Sequence, residues 1–137
     1  MSPKTEYTPQ DYARQQVSKD PVARLMGIEL EELNPEKTVV SLIPKPHHLN
    51  SMGTVHGTTM YAMLDQAAAI ACNAFDYRAI LCQGKIDFLN TGNARSKLLA
   101  TATPLSIKRR LSIWEVKITD DRGVLLAAGQ AMAYHFV

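Results

Sequence analysis

The sequence predicts an α+β domain in which an antiparallel sheet wraps around one long central helix. Three observations predict it. From Met60 to Cys72 the only polar side chains are Tyr61, Asp65 and Gln66, and a helix that is apolar all round is a buried helix. Six other segments read as strands, two before this helix and four after it. The connections between them are short, which favours antiparallel pairing.

The elements follow in order. Thr8-Pro9 ahead of "QDYARQQVSKD" reads as an N-cap with proline at the first helical position. "PVARLMG" adds a helical turn that ends at Gly27. "IELEEL" (28–33) and "TVVSLI" (38–43) are strands joined by the turn "NPEK". Pro44, Pro46 and the polar residues to Gly53 form a loop. The main helix runs from Gly57 to about Phe75, rich in Ala, Met and Leu, with no glycine or proline after its first residue. "AILCQGKIDFL" (79–89) is followed by a turn at "NTGNARS". "KLLATATPLSI" (97–107) leads into the basic "KRR". "LSIWEVKIT" (111–119) puts Ser112, Trp114, Val116 and Ile118 on one face. "DDRG" (120–123) is a hairpin turn, and "VLLAAGQAMAYHFV" (124–137) closes the chain.

The 137 residues suit one domain, 1–137, with residues 1–20 as an N-terminal helical extension. A composition of 46% apolar and 20% charged residues is that of an ordinary globular protein. A net charge of +2 gives no reason to expect nucleic acid. No run approaches the ~20 apolar residues of a membrane span. Cys72 and Cys82 form no CxxC pair and sit in apolar runs, where buried free thiols are expected, so neither a zinc site nor a redox motif is expected. The polar start "MSPKTEYTPQDYARQQ" has no apolar signal core. A reduced, cytoplasmic setting with no metal and no cofactor is the expectation.

Four features cluster at the start of the main helix: Asn50, Gly53, His56-Gly57 and Asp65. The first N–H groups of a helix have no intrahelical partner and sit at the positive end of its dipole. They suit an anion or a developing oxyanion. Gly57 lets a ligand approach the backbone, Asn50 offers an amide donor, and His56 orients the loop or donates a hydrogen bond. Asp65 lies about 12 Å along the helix axis from Gly57. That distance implies that a second subunit supplies one half of the site, and so an obligate dimer.

"HHLNSMGTVHGTTMYAMLDQA" resembles the N-x-x-G-x-x-H-G-G-x(6)-D signature of hotdog-fold acyl-CoA thioesterases of the PaaI-like, phenylacetate-degradation type. The likeness runs over roughly residues 20 to 137 and includes "IDFLN" and "DDRGVLLAAGQA". It implies the hotdog fold and hydrolysis of an acyl- or aryl-CoA to the acid and free CoA. By the same resemblance Asp65 is the general base or nucleophile, and the Gly57 N–H polarises the thioester carbonyl. Asn50 assists at that carbonyl or the leaving sulfur, and His56 shapes the loop. The sites lie between the subunits of a homodimer, two of which often pair into a homotetramer. Two positions depart from the pattern. The second glycine is Thr58, which narrows the space beside the carbonyl. The third strand reads Leu81-Cys82-Gln83 where the family often has a hydroxyl, which leaves Gln83 as the substitute. Lys108, Arg109 and Arg110 suit the phosphates of CoA, with Arg95 and Lys97 as weaker candidates.

Plainer readings stand beside these. Asp65 pairs with an arginine across an interface; His56 only caps; Asn50 and Gly57 are ordinary loop and helix-start residues; "KRR" is a solvated turn. Tyr61 touches Asp65 or packs in the core. Met52, Met60 and Met63 line an acyl pocket or are core. His47 and His48 are loop residues with no assigned role. The rival functions are a non-catalytic acyl-CoA-binding hotdog module and a dehydratase acting on acyl-carrier-protein substrates.

Overall fold

The computed structural model describes residues 8–137; the first seven residues of the expected helical extension lie outside them. Helix α1 (Pro9–Gln15) starts where expected, with the Thr8 side chain accepting from the Asp11 N–H at 3.1 Å. A short 3₁₀ turn (Val17–Lys19) leads to α2 (Pro21–Met26). The Asp20 carboxylate caps α2 by accepting from the Ala23 N–H at 2.8 Å. Gly27 ends it in the left-handed region (φ 72°), where glycine carries no Cβ penalty.

Six strands form one antiparallel sheet: β1 (Glu29–Asn34), β2 (Lys37–Leu42), β3 (Ala79–Phe88), β4 (Leu98–Ile107), β5 (Leu111–Thr119) and β6 (Leu125–His135), in the order β1-β2-β4-β5-β6-β3. All six lie within a residue or two of the expected segments. The pairing after "NTGNARS" does not follow the short connection. β3 and β4 are not neighbours; β6 and β5 lie between them. The segment after β3 crosses the sheet end instead, held by the Leu89 and Asn90 N–H groups on the Leu126 carbonyl at 2.8 and 3.1 Å. β3 is thereby an edge strand, bonded on one side only and largely exposed.

Helix α3 (Gly57–Cys72) lies against the sheet. Met63, Leu64, Ala67, Ala68 and Ile70 are buried against Trp114, Val116 and Ile118 of β5 and Leu126 of β6. The face of β5 read from alternation is the buried one, Ser112 included. Asn73 ends α3 by using its whole amide: Nδ2 donates to the Ala69 and Ala79 carbonyls, and Oδ1 accepts from the Ala79 N–H. One side chain thus ties the helix end to the start of β3.

Two expectations are corrected. α3 is not covered on every side: Thr58 and Asp65 are exposed, and Tyr61, Ala62 and Ala69 are half-covered. This open stripe exists because the sheet covers one side of the helix and the N-terminal turns cover only part of the other. Gln66, beside the stripe, is buried and donates to the Val17 carbonyl at 2.8 Å, which pins the 3₁₀ turn to α3. The second correction concerns the thiols. Cys72 is buried and its thiol is pushed up to about 12 by that burial, but Cys82 is exposed. It sits where the β3–β6 register slips between Leu81 and Gln83, on the open edge.

Candidate active site

The start of α3 is built by a loop closed on itself. The His56 N–H donates to the His48 carbonyl at 2.8 Å, Leu49 bridges Val55, and the Val55 N–H donates to the Gly92 carbonyl at 2.9 Å. Asn50 organises the turn within. Its Oδ1 accepts from the Met52 and Thr54 N–H groups, and its Nδ2 donates to Thr54 Oγ1 at 2.8 Å. The loop role is therefore its visible one, with one Nδ2 hydrogen left over.

His48, to which the sequence assigned nothing, anchors the loop. It is 1% exposed. One ring nitrogen accepts from the Lys45 N–H (2.9 Å), so the other donates to the Met26 carbonyl (2.7 Å). Its own carbonyl receives the Thr59 hydroxyl as well as the His56 N–H. Only tertiary contacts reveal this, since the ring reaches back to α2.

His56 is the N-cap of α3, and its Nδ1 accepts from the Thr58 N–H at 2.9 Å. That bond places the proton of the neutral ring on Nε2, which is free to donate. The Thr59 and Met60 N–H groups both donate to the His56 carbonyl. Of the first four helix N–H groups, the one left without a hydrogen-bond partner among the described residues is that of Gly57. Phe88 explains the missing side chain: a Cβ on Gly57 would stand 3.0 Å from its ring. The start of α3 thus offers one unused N–H at the positive end of a 16-residue helix dipole.

Asp65 lies two turns further on, exposed on one side and walled by protein on the others. Burial raises its pKa, and the nearby Asp20 carboxylate raises it further. Among the described residues no cation is within ion-pair distance of it. It faces a cavity of about 890 Å³ that α1, the 3₁₀ turn and the start of β3 share with α3. The N-terminal extension is therefore part of Asp65's surroundings, which the sequence did not disclose. Tyr61 does not turn to Asp65; its hydroxyl lies against the backbone of Gly84 on β3.

The remaining candidates are spread over the chain. Thr58 and Gln83 are exposed, Gln83 on the open edge strand. Lys108, Arg109 and Arg110 form the β4–β5 turn, where the Arg110 carbonyl receives the His135 N–H. Lys108 and Arg109 line a second cavity with Phe75, Asp76 and Tyr77, just beyond the C-terminal end of α3. They stand near the opposite end of α3 from Gly57; the two end residues of the helix, Gly57 and Cys72, are about 22 Å apart along its axis. Met60 and Met63 are core, and Met52 is exposed. Among the described residues no group of three or more His, Cys, Asp or Glu converges to hold a metal ion. No helix of theirs is long and apolar enough to cross a membrane.

A six-stranded antiparallel sheet wrapped on one long helix defines a protein of the hotdog class. The thioesterase superfamily profile matches residues 52–127, more than half of the chain. The acyl-coenzyme A thioesterase PaaI of Escherichia coli K12 is 27% identical over 103 residues, which is 75% of this chain and 74% of that protein. The solved structure of the E. coli PaaI protein superposes with a TM-score of 0.88 at 23% identity, over 95% of this chain and 94% of that one. A mutant of the phenylacetic acid degradation protein PaaI from Thermus thermophilus superposes with a TM-score of 0.81 at 26% identity, over 85% of this chain and 100% of that one. The chain belongs to the thioesterase superfamily, as a PaaI-like hotdog thioester hydrolase.

Proposed function

We propose that the substrate is an acyl- or aryl-CoA thioester, hydrolysed in a site that two copies of the chain build together. The Gly57 N–H of one subunit polarises the thioester carbonyl. Asp65 of the other takes a proton from the water that adds to the carbonyl, or attacks the carbonyl itself to form an anhydride that water then hydrolyses, and CoA leaves as its thiol with the proton that water gives up. Asn50 lends its remaining amide hydrogen near the carbonyl or sulfur. His56 holds the loop and offers its free Nε2–H, while Thr58 and Gln83 line the substrate's path. Lys108, Arg109 and Arg110 supply cations for the CoA phosphates. The observation that carries this reading is the unpartnered Gly57 N–H, in a chain of this family.

Sharing between subunits is supported by what one chain leaves open. Gly57 and Asp65 are about 12 Å apart along one helix axis. The stripe through Thr58 and Asp65 is uncovered, and the ten-residue edge strand β3 has unpaired backbone groups along one side. Such an edge is a ready template for a second copy. A homodimer, with pairing of dimers into a homotetramer, a single domain with a helical extension and a cytoplasmic location complete the reading.

The test is release of free thiol from phenylacetyl-, hydroxybenzoyl-, acetyl-, hexanoyl- and palmitoyl-CoA, wild type beside Asp65→Asn. Turnover is expected with at least one thioester and nearly absent in the variant. The raised carboxyl adds a second readout. Ionising it at neutral pH works against the fold, so Asp65→Asn should keep or raise the melting temperature at pH 7, with the difference closing in acid, where both side chains are neutral. Thioester binding without thiol release would make the chain an acyl-CoA-binding module instead.

A further inference from the structure

We propose that Tyr61 sets an upper limit on acyl length: the Tyr61 rings of two subunits meet at their two-fold axis and close the end of the acyl slot. This rests on the reading of a site shared by Gly57 of one subunit and Asp65 of the other. Two observations put Tyr61 at that axis. On α3 it stands midway between Gly57 and Asp65, four residues or about 6 Å along the helix from each. In a two-fold pair every contact is made twice, with the roles exchanged. Two helices that set Gly57 against Asp65 in both directions therefore have residue 61 at their common centre. The second observation is β3. Its ten residues, Ala79–Phe88, centre between Gln83 and Gly84, and an edge strand that pairs with its own copy along its whole length does so about that point. The Tyr61 hydroxyl lies against Gly84, where any Cβ would collide with it. One side chain thus joins the middle of the helix to the middle of the edge strand, and glycine makes room for it.

The two sides of the site differ in chemistry. Away from the axis, Asp65 opens onto the cavity of about 890 Å³, whose lining includes Gln16, Lys19, Asn73 and Arg78. That cavity runs toward the C-terminal end of α3, beyond which Lys108 and Arg109 stand. These groups suit the polar, phosphate-bearing arm of CoA. Toward the axis the walls are apolar. Phe88, 54% exposed, stands beside Gly57. Ile86 and Ala62 are half-buried, and Tyr61 follows one turn into the helix. The two sites of a dimer lie about 12 Å apart along α3, with both Tyr61 rings between them, which leaves no room for the CoA arm. The arm that turns to the axis is the acyl group, and it has about 6 Å along the helix before it meets Tyr61. Without that ring the two acyl slots would run into one another.

The experiment measures kcat/KM for thiol release from acetyl-, butanoyl-, hexanoyl- and decanoyl-CoA in wild type, Tyr61→Ala and Tyr61→Phe, with circular dichroism on each. Wild type should favour a short member and fall steeply beyond it. In Tyr61→Ala the decanoyl-to-acetyl ratio should rise by roughly 10- to 100-fold, the range over which a fitted apolar pocket discriminates. Tyr61→Phe keeps the ring and should keep the wild-type profile, which separates bulk from the hydroxyl. Should Tyr61→Ala lose its fold, Tyr61→Leu is read in its place, with a smaller rise in the same ratio. A wild-type profile that does not fall with length, or a change in Tyr61→Ala equal for all four thioesters, would overturn the proposal and leave Tyr61 as a packing contact for Gly84. Should wild type hydrolyse none of the four, the catalytic reading fails on its own. The same ratios, measured as Kd for non-hydrolysable thioether analogues, then decide Tyr61.

Discussion

Gly57 lacks a side chain for one reason and is proposed to act for another, and the two can be separated. A Cβ would press on Phe88, a contact that Ala and Pro both make. Only Pro removes the N–H. Proline is tolerated at the first position of a helix, and His56 before it, at φ −67° and ψ 142°, is already in the conformation that precedes proline. Gly57→Pro is therefore expected to fold and to lose about 10²–10³ in kcat, the usual effect of removing one oxyanion donor. Gly57→Ala should lose far less. Thiol-release kinetics with circular dichroism on both variants check this, and equal losses would move the explanation to Phe88. At this scale the sequence was a good guide where chemistry is local. His56 as helix cap and Gly57 as the open N–H follow from what every helix start lacks. It was a poor guide to Asn50, whose amide is mostly spent inside its own turn. It was silent on His48, Asp20 and Arg78, whose partners are 22, 45 and 66 positions away in sequence, at Met26, Asp65 and Tyr12.

Elements carry the site through the loop before α3 and the strand beyond it. His48 joins α2, the loop and α3, and it does so as a neutral ring. Burial lowers its pKa, the hydrogen bond to the Met26 carbonyl pulls the other way, and the neighbouring His47 and Lys45 lower it further. His135 is lowered as well, chiefly by burial. A lowered histidine stabilises the fold above the unfolded value of about 6.5, and that stability is lost as the pH falls through and below it. The melting temperature should therefore drop between pH 7 and 5. In His48→Leu the slope should flatten, and about 2 kcal/mol should be lost at pH 7 from the stranded Lys45 N–H and Met26 carbonyl. Thermal unfolding at a series of pH values measures both effects. The strand limits and the buried face of β5 were legible because alternation is local. The place of β3 was not: a short connection favours pairing with the next strand, and here the segment crosses two strands to leave β3 at the edge. The exposed Cys82 follows from that one topological fact.

At the scale of the whole molecule, what one chain leaves open matters most. The chain leaves uncovered the stripe through Asp65 and one side of β3. It holds its free helix-start N–H at one end of α3 and its basic turn at the other. An apolar helix was legible as the centre of a wrapped sheet. Its one open stripe was not, because the sequence pattern cannot say whether a second copy or solvent lies beyond it. The measurement that tests this most directly mixes two proteins expected to be inactive, Asp65→Asn and Gly57→Pro, under conditions where tagged subunits are seen to exchange. In a two-fold dimer with shared sites, each mixed pair has one site with both groups intact. Mixing should then restore thiol release to about a quarter of the wild-type rate. Exchange without any recovery of activity would contradict the shared site.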